Sequence, residues 1–187
     1  LWVKQLYNDT YSHSPSGIVF DSSGNLYVSL SSNISGTYHM YLIKYDFSGT
    51  QVWQRSLSSG SNADYSGKIA IDSSDNIYTI GTSNTASNTG IIAKYNSSGT
   101  IQWQRSLTIA SNHVSLQGIN ISGTNMLITG TFNASGGYSD VLNLVLPLDG
   151  SKTGTYTVGN LSFVYGSSSL TDSTGSVTTT SVSSTTT

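Results

Sequence analysis

The chain has 187 residues, a formal net charge of −2, no cysteine, and only 9% charged residues. Without a basic surface it is a poor partner for a nucleic-acid backbone, and without cysteine it has neither disulfides nor thiolate metal sites. All nine acidic residues are Asp, and no apolar run is long enough to cross a membrane. Abundant Ser, Thr, Gly, Asn, Tyr, Ile and Val favour strands and tight turns.

In chain order, the segment "LWVKQL" at 1–6 predicts the outer strand of a blade whose other strands lie upstream or elsewhere in the chain. Three longer units follow, at 7–57, 58–107 and 108–158. Each is predicted to form short strands separated by clusters of Ser, Asn, Asp and Gly. In the second unit the predicted strands are "KIAI" (68–71), "NIYTIG" (76–81), "IIAKY" (91–95) and "IQWQRSL" (101–107).

The units repeat with a period of about 50 residues. "DSSGNLY" at 21–27 returns as "DSSDNIY" at 72–78, and "SGTQVWQRSL" at 48–57 returns as "SGTIQWQRSL" at 98–107. The repeat-structural residues that we single out are Trp2, Trp53, Trp103, Asp21, Asp72, Gly49 and Gly99. Four-strand units at this spacing predict an all-β, propeller-like fold with about three blades present.

Two architectures agree with this pattern. In one, the residues are part of a propeller, or the C-terminal part of a larger one, with further blades before Leu1. In the other, residues 160–187 supply the inner strands of a fourth blade that the N-terminal strand completes. The first is preferred, because fewer residues remain for the fourth blade than the other units use.

The repeats resemble the bacterial and phage β-propeller repeat called SBBP. The resemblance rests on "GIVFDSSGNLYVS" and "IAKYNSSGTIQWQRSL" and covers about residues 1–150. It is strong in the first two units and weak in the third, where "NISGTNMLITG" lacks the Asp and the Tyr. The resemblance implies a fold and brings no catalytic motif.

The sequence changes character after the repeats. Residues 159–187 form a Ser/Thr-rich extension or strand-exchange segment that ends "LTDSTGSVTTTSVSSTTT". The junction "DGSKTGTY" and the run "SSLTDST" resemble marine phage structural proteins. That resemblance implies a virion protein, of the kind found in tail fibres.

The chemistry-bearing residues predict neither a catalytic nor a metal site, and no cofactor. Asp21 and Asp72 are expected in side-chain-bonded turns, since the spacing of a calcium loop is absent. With no Glu in the chain, a glycosidase would have to use Asp64 and Asp140, which lie in loops without a partner signal. The two Arg residues, Arg55 and Arg105, occupy equivalent repeat positions and are expected to pack along the preceding Trp.

Loop aromatics are the better indication of a binding surface. Tyrosine presents a flat apolar ring with a polar tip, and loops on a rigid scaffold commonly carry binding sites. The candidate ligand-binding residues are Tyr7, Tyr11, Tyr38, Tyr41, Tyr65 and Tyr138. Stacking rings beside Asn and Asp side chains suit carbohydrate.

The sequence therefore predicts a non-enzymatic structural or interaction protein of a phage particle, on a tail fibre, appendage or capsid exterior. Its expected partners are other copies of itself, other virion proteins and surface glycans, with no nucleic acid and no membrane span. The alternative is a secreted or cell-surface propeller of a bacterium or archaeon, used for adhesion or carbohydrate binding. An enzyme with an Asp-based site is a third, less favoured class.

Overall fold

A computed structural model describes residues 2–6, 12–34, 36–84, 88–110, 112–133 and 138–182. Its described residues form only strands and turns, in agreement with the predicted all-β fold of propeller-like repeats. The N-terminal strand, β1, spans Val3–Leu6. The described residues contain no helix of the length and apolarity that crossing a membrane requires.

Three antiparallel meanders follow β1, and we call them the first, second and third blades. The first blade contains β2 (His13–Phe20), β3 (Leu26–Ile34), β4 (Thr37–Tyr45) and β5 (Gln51–Ser58). The second contains β6 (Asp64–Ile71), β7 (Ile77–Ser83), β8 (Thr89–Tyr95) and β9 (Ile101–Ile109). The third contains β10 (Val114–Ser122), β11 (Asn125–Asn133) and β12 (Ser139–Pro147).

The third blade has three strands where the sequence predicted four. Residues 154–158, expected in that blade, instead form β13 (Gly154–Val158), which pairs with β14 at the outer edge of the second blade. The physical reason is in the sequence, since this unit carries no Trp strand after its last turn. Without that anchor the segment pairs with the strand that follows it.

The C-terminal tail (residues 159–182) adds a strand to the outer edge of one sheet after another. It contains β14 (Leu161–Ser167), β15 (Thr171–Thr174) and β16 (Thr179–Val182). β14 pairs with β9, β15 with β5 and β16 with β1. These strands take outer positions, not the inner positions of a fourth blade that one of the predicted architectures gave them.

The hydrophobic core lies between neighbouring blades. One cluster joins the first and second blades and includes Tyr27, Leu57, Ile69 and Tyr95. Another joins the second and third blades through residues such as Ile92, Leu116 and Ile128. The inner strands β2, β6 and β10 lie side by side, so the blades stack about them.

The meander order gives the stack two different ends. At one end, which we call the hairpin end, lie the β2–β3 and β4–β5 turns and their counterparts in the second blade. At the other end, which we call the loop end, lie the connections from one blade to the next. The turns that join the second and third strands of each blade lie there too. The two ends carry different residues.

Candidate interaction surfaces

Trp2, Trp53 and Trp103 each lie against a glycine of the next blade at the hairpin end. A Cβ added at Gly49 would lie 2.6 Å from the ring of Trp2, and one at Gly99 would lie 2.8 Å from the ring of Trp53. Gly150, which the sequence analysis did not single out, meets Trp103 in the same way, at 2.8 Å. Because only a residue without a side chain admits the ring, each Trp–Gly contact fixes the distance between two blades.

The indole nitrogens add a hydrogen bond to this contact. Trp2 Nε1 donates to the carbonyl of Phe47 at 3.1 Å, and Trp53 Nε1 donates to that of Ser97 at 3.2 Å. Each acceptor stands two residues before the contacted glycine. The third copy departs from this pattern, because the equivalent carbonyl of Leu148 accepts a 3.4 Å hydrogen bond from the Tyr78 hydroxyl.

The arginines of the Trp strands bind the same turns. Arg55 Nε donates to the carbonyl of Gly99 at 2.6 Å, and Arg105 Nε donates to that of Gly150 at 2.8 Å. The Arg105 guanidinium also lies 5.7 Å from the centre of the Trp103 ring, within cation–π range. Both arginines therefore hold neighbouring blades together, and they do not gather into a carboxylate-binding cluster.

Asp21 and Asp72 occupy equivalent β2–β3 and β6–β7 turns. Asp21 Oδ1 accepts from the backbone nitrogens of Ser23 at 3.0 Å and Asn25 at 2.8 Å, and Asp21 Oδ2 lies 3.3 Å from Lys44 Nζ. Burial by itself raises the pKa of Asp21, but hydrogen bonds from Asn25, Tyr27 and Lys44 outweigh it and lower the pKa to about 2.

Asp72 repeats the arrangement with Asn76, Tyr78 and Lys94. Its Oδ2 accepts from the Tyr78 hydroxyl at 2.9 Å and lies 4.0 Å from Lys94 Nζ. Burial opposes ionisation here too, yet hydrogen bonds from Asn76 and Tyr78 lower the pKa of Asp72. These carboxylates stabilise their own turns, and no three His, Asp or Glu side chains converge as metal ligands within the described residues.

Four of the candidate ligand-binding tyrosines lie within the described residues, all towards the loop end, and one of them is buried. Tyr38 and Tyr65 come from neighbouring blades, and their ring centres are 5.2 Å apart with the planes tilted by 36°. Tyr138 is 80% exposed, whereas Tyr41 is only 3% exposed and packs in the core of the first blade. Tyr41 is thus unavailable to a ligand, and Tyr7 and Tyr11 lie outside the described residues.

The two Asp residues of the enzyme alternative lie in different blades. Asp64 begins β6 and is fully buried, with Oδ2 accepting from the Ser59 backbone nitrogen at 2.7 Å. Asp140 is exposed near the start of β12 in the third blade. One carboxylate stabilises a loop and the other faces solvent, so they do not form a pair across a cleft.

The third blade carries an apolar surface that the sequence analysis did not find. Leu127, Val141 and Val145 point away from the second blade and are 43%, 70% and 67% exposed. The register places Leu127 and Val145 opposite each other, as Tyr27 is opposite Lys44 in the first blade. The loss of Asp, Tyr and Lys from "ISGTNML" and "NLVLPL" was the available signal for this surface.

A groove runs beside this surface, between β12 and the β13–β14 hairpin. It has a volume of about 750 Å³, and its lining is mostly apolar. Leu142, Leu144, Phe163 and Tyr156 are among the residues that line it. The groove contains few polar groups that could orient a small ligand, and one wall is a strand edge.

A comparison with protein families matches the SBBP beta-propeller repeat to residues 52–87. The matched segment begins in the Trp strand β5 and continues through β6 and β7, so it includes Trp53 and the Asp72 turn. This part of the chain is similar to that repeat, as the sequence predicted. No curated protein matches the chain, and the resemblance to phage structural proteins stays a prediction.

Proposed function

We propose that this chain is a non-enzymatic structural and interaction protein. The observation that carries the proposal is the repeated Trp–Gly contact, reinforced by tail strands that extend three successive sheets. At the hairpin end, the side chains of Asp21 and Asp72 are engaged in turns, and those of Arg55 and Arg105 in contacts between blades. The similarity to a beta-propeller repeat supports a scaffold of this kind.

An activity screen tests the non-enzymatic part of this proposal. The protein is incubated with a panel of oligosaccharides and esters, alongside a double variant with Asp64→Asn and Asp140→Asn. We expect no hydrolysis by either protein. Turnover by the parent chain that disappears in the folded double variant would replace this proposal with an enzymatic one.

We further propose that the protein acts outside the cell, on the surface of a phage particle. Support comes from the phage-like junction after the repeats, and a chain without cysteine has no thiol that an oxidising medium could convert into a disulfide. Peptide mass spectrometry of purified particles is the test, with the particle-free medium and the host cell surface as the compared fractions. Recovery from the medium or the cell surface alone would favour the secreted adhesion protein instead.

Surface glycans are the partner that the loop end suits best. The Tyr38–Tyr65 pair presents two rings from neighbouring blades, and ring faces stack well on sugars. We expect glycan-array binding that Tyr65→Ala reduces and Phe47→Ala does not, since Phe47 is an exposed aromatic residue at the hairpin end. An array without signal at high protein concentration would remove glycans from the proposal.

A further inference from the structure

The third blade ends at a strand edge without a partner. In the first and second blades the third strand pairs with a Trp strand, β4 with β5 and β8 with β9. In the third blade β12 pairs with β11 and with no other described strand. The position of a fourth strand is therefore vacant among the described residues, and the groove of about 750 Å³ lies along it.

The N-terminal strand β1 shows the opposite arrangement, because among the described residues it holds the place of a fourth strand without the first three strands of its blade. Trp2 contacts Gly49 and Phe47 as Trp53 contacts Gly99 and Ser97. β16 lies beside β1 as β15 lies beside β5. On its other edge, where β5 has β4, no described strand pairs with β1.

We propose that β1 of one copy of this chain completes the third blade of a second copy. This is strand addition at an open sheet edge, in which backbone hydrogen bonds provide affinity and alternate side chains provide specificity. The partner follows from the molecule itself, because the chain carries both the vacant position and the strand that fits it. The inference names a partner for the proposed structural role and rests on that role.

The repeat predicts the register of the pairing. Trp53 is opposite Lys44 in the first blade, and Trp103 is opposite Lys94 in the second. Val145 occupies the equivalent position of β12, since it is opposite Leu127 as Lys44 is opposite Tyr27. Trp2 of one copy is thus placed opposite Val145 of the other, and Val3 opposite Leu144.

Side-chain alternation agrees with this register. In β1, Val3 and Gln5 are exposed while Lys4 and Leu6 are half-buried, and Leu6 packs against the core cluster of the first blade. In the completed sheet, Val3 and Gln5 turn towards the side of β12 that carries Leu142 and Leu144, and so into the apolar groove. The exposed Val3 side chain would become buried there.

The same pairing would bury exposed apolar side chains on the third blade of one copy and on the first blade of the other. The third blade presents Leu127, Val141 and Val145. The first blade presents Ile18 and Phe20 on its inner strand, which are 61% and 62% exposed. The register of the inner hairpins makes Ile69 and Ile71 their counterparts in the second blade, and both pack against the first blade. If the third blade of one copy stacks on the first blade of the other, the same packing is repeated between the copies.

The contact is head-to-tail, so it closes into a ring or continues as a filament. With three blades among the described residues of each copy, two copies form a ring of about six blades, within the usual propeller range of four to eight. For a polypeptide of these 187 residues we therefore expect a closed pair with twice the 19.8 kDa mass of one copy.

Paired cysteines test the register, because the chain has no cysteine of its own. Directly opposite residues on paired strands have Cβ atoms about 4.5–5.5 Å apart, near disulfide range. Under mild oxidation we expect the variant with Val3→Cys and Leu144→Cys to form a covalent two-chain species. The matched control keeps Val3→Cys and adds Thr129→Cys, which lies one strand further into the sheet and should cross-link at least tenfold less.

Three results would overturn the proposal. One is a cross-link within a single chain, which would mean that the strand completes a blade of its own molecule. Another is equal cross-linking in the control. The last is sedimentation of the unmutated chain as a monomer at high concentration.

A second variant checks the apolar face without touching the core. Val145→Asp places a charge on a 67% exposed side chain, so the isolated chain should keep its circular dichroism spectrum. Burial of an unpaired carboxylate in the contact should weaken the pairing at least about tenfold. An unchanged dissociation constant would contradict the proposal. If the parent chain is monomeric but is still found in particles, the pairing proposal fails while the proposed function stands.

Discussion

One glycine in each unit decides how closely two neighbouring blades approach. Gly49, Gly99 and Gly150 all have positive φ, and all lie under a tryptophan ring. The left-handed backbone and the missing side chain are two separate requirements that the same residue meets. A turn that needed only the first requirement could accept Asn or Asp, as the positive φ of Asp75 shows.

Gly99→Ala should lower the free energy of unfolding more than Gly60→Ala does. Both glycines have φ near +80°, but a Cβ at Gly60 would meet no atom within 4 Å. The control therefore carries the backbone strain alone, about 1–2 kcal/mol. Displacement of the Trp53 ring should add about 1–3 kcal/mol at Gly99. Urea titrations of the two variants give the difference, and equal losses would show that the ring contact contributes nothing.

Asp21→Asn should destabilise the protein at neutral pH and much less in acid. The folded pKa of about 2 lies below the ordinary 3.8, so the carboxylate stabilises the fold above pH 4. That stability is lost as the pH falls from about 4 to 2, and it amounts to about 2 kcal/mol. Thermal unfolding across this range is the measurement. A constant offset between Asp21→Asn and the parent across this pH range would contradict the assignment.

At the scale of elements, the tail is part of the core as well as of the sheet edges. Leu170 lies in the cluster between the first and second blades, and Val177 lies on the outer face of the first blade. Asp172 accepts a 2.9 Å hydrogen bond from the Tyr95 hydroxyl and lies 3.6 Å from Arg55. Burial raises the pKa of Asp172, and the contacts with Tyr95 and Arg55 oppose that rise.

Leu170→Ala should cost about 2–5 kcal/mol of unfolding free energy, as expected for a buried leucine. Val158→Ala in β13 removes methyl groups from a 66% exposed side chain and should cost less than about 0.5 kcal/mol. Differential scanning calorimetry of both variants makes the comparison. Equal melting temperatures would mean that the tail is only loosely attached.

The elements of the first two blades could be predicted because period-2 alternation and Asp/Asn/Gly turns repeat in register. The predicted strands at 68–71, 76–81, 91–95 and 101–107 coincide with β6 to β9 apart from their ends. The positions of β14 to β16 could not be predicted, because alternating Ser and Thr residues fit many edges and no side-chain pattern selects one. The candidate Tyr41 failed because it lies within β4, which is buried on both faces from Met40 to Tyr45. Tyr41 shares a core cluster with Val177 of the tail, whose position the sequence did not predict.

At the scale of the whole molecule, the protection of backbone amides against hydrogen exchange is expected to fall from the second blade outwards. All seven residues of β7 are buried, and the second blade has a neighbour on each side. Among the described residues, the third blade has a neighbour on one side only. The structure therefore predicts a gradient of local stability that follows the order of the blades.

Amide hydrogen exchange should be slowest in β7 and β8 at every protein concentration. In β12 it should be fast in dilute solution and slow down as the concentration rises, because the open edge becomes paired. The ratio of β12 to β7 exchange rates is the quantity to follow by mass spectrometry. A ratio independent of concentration would mean that the edge stays open to solvent.

The path of the tail also sets an order of events during synthesis. β15 pairs with β5 and β16 with β1, so β5 and β1 wait for partners that are translated much later. Contacts between residues so distant in sequence form slowly, because the chain must first close a long loop. The nascent blades can collapse on one another as they emerge, but their rims stay unpaired until the tail strands have been translated. A chaperone that shields strand edges would therefore be most useful in the interval before the tail emerges.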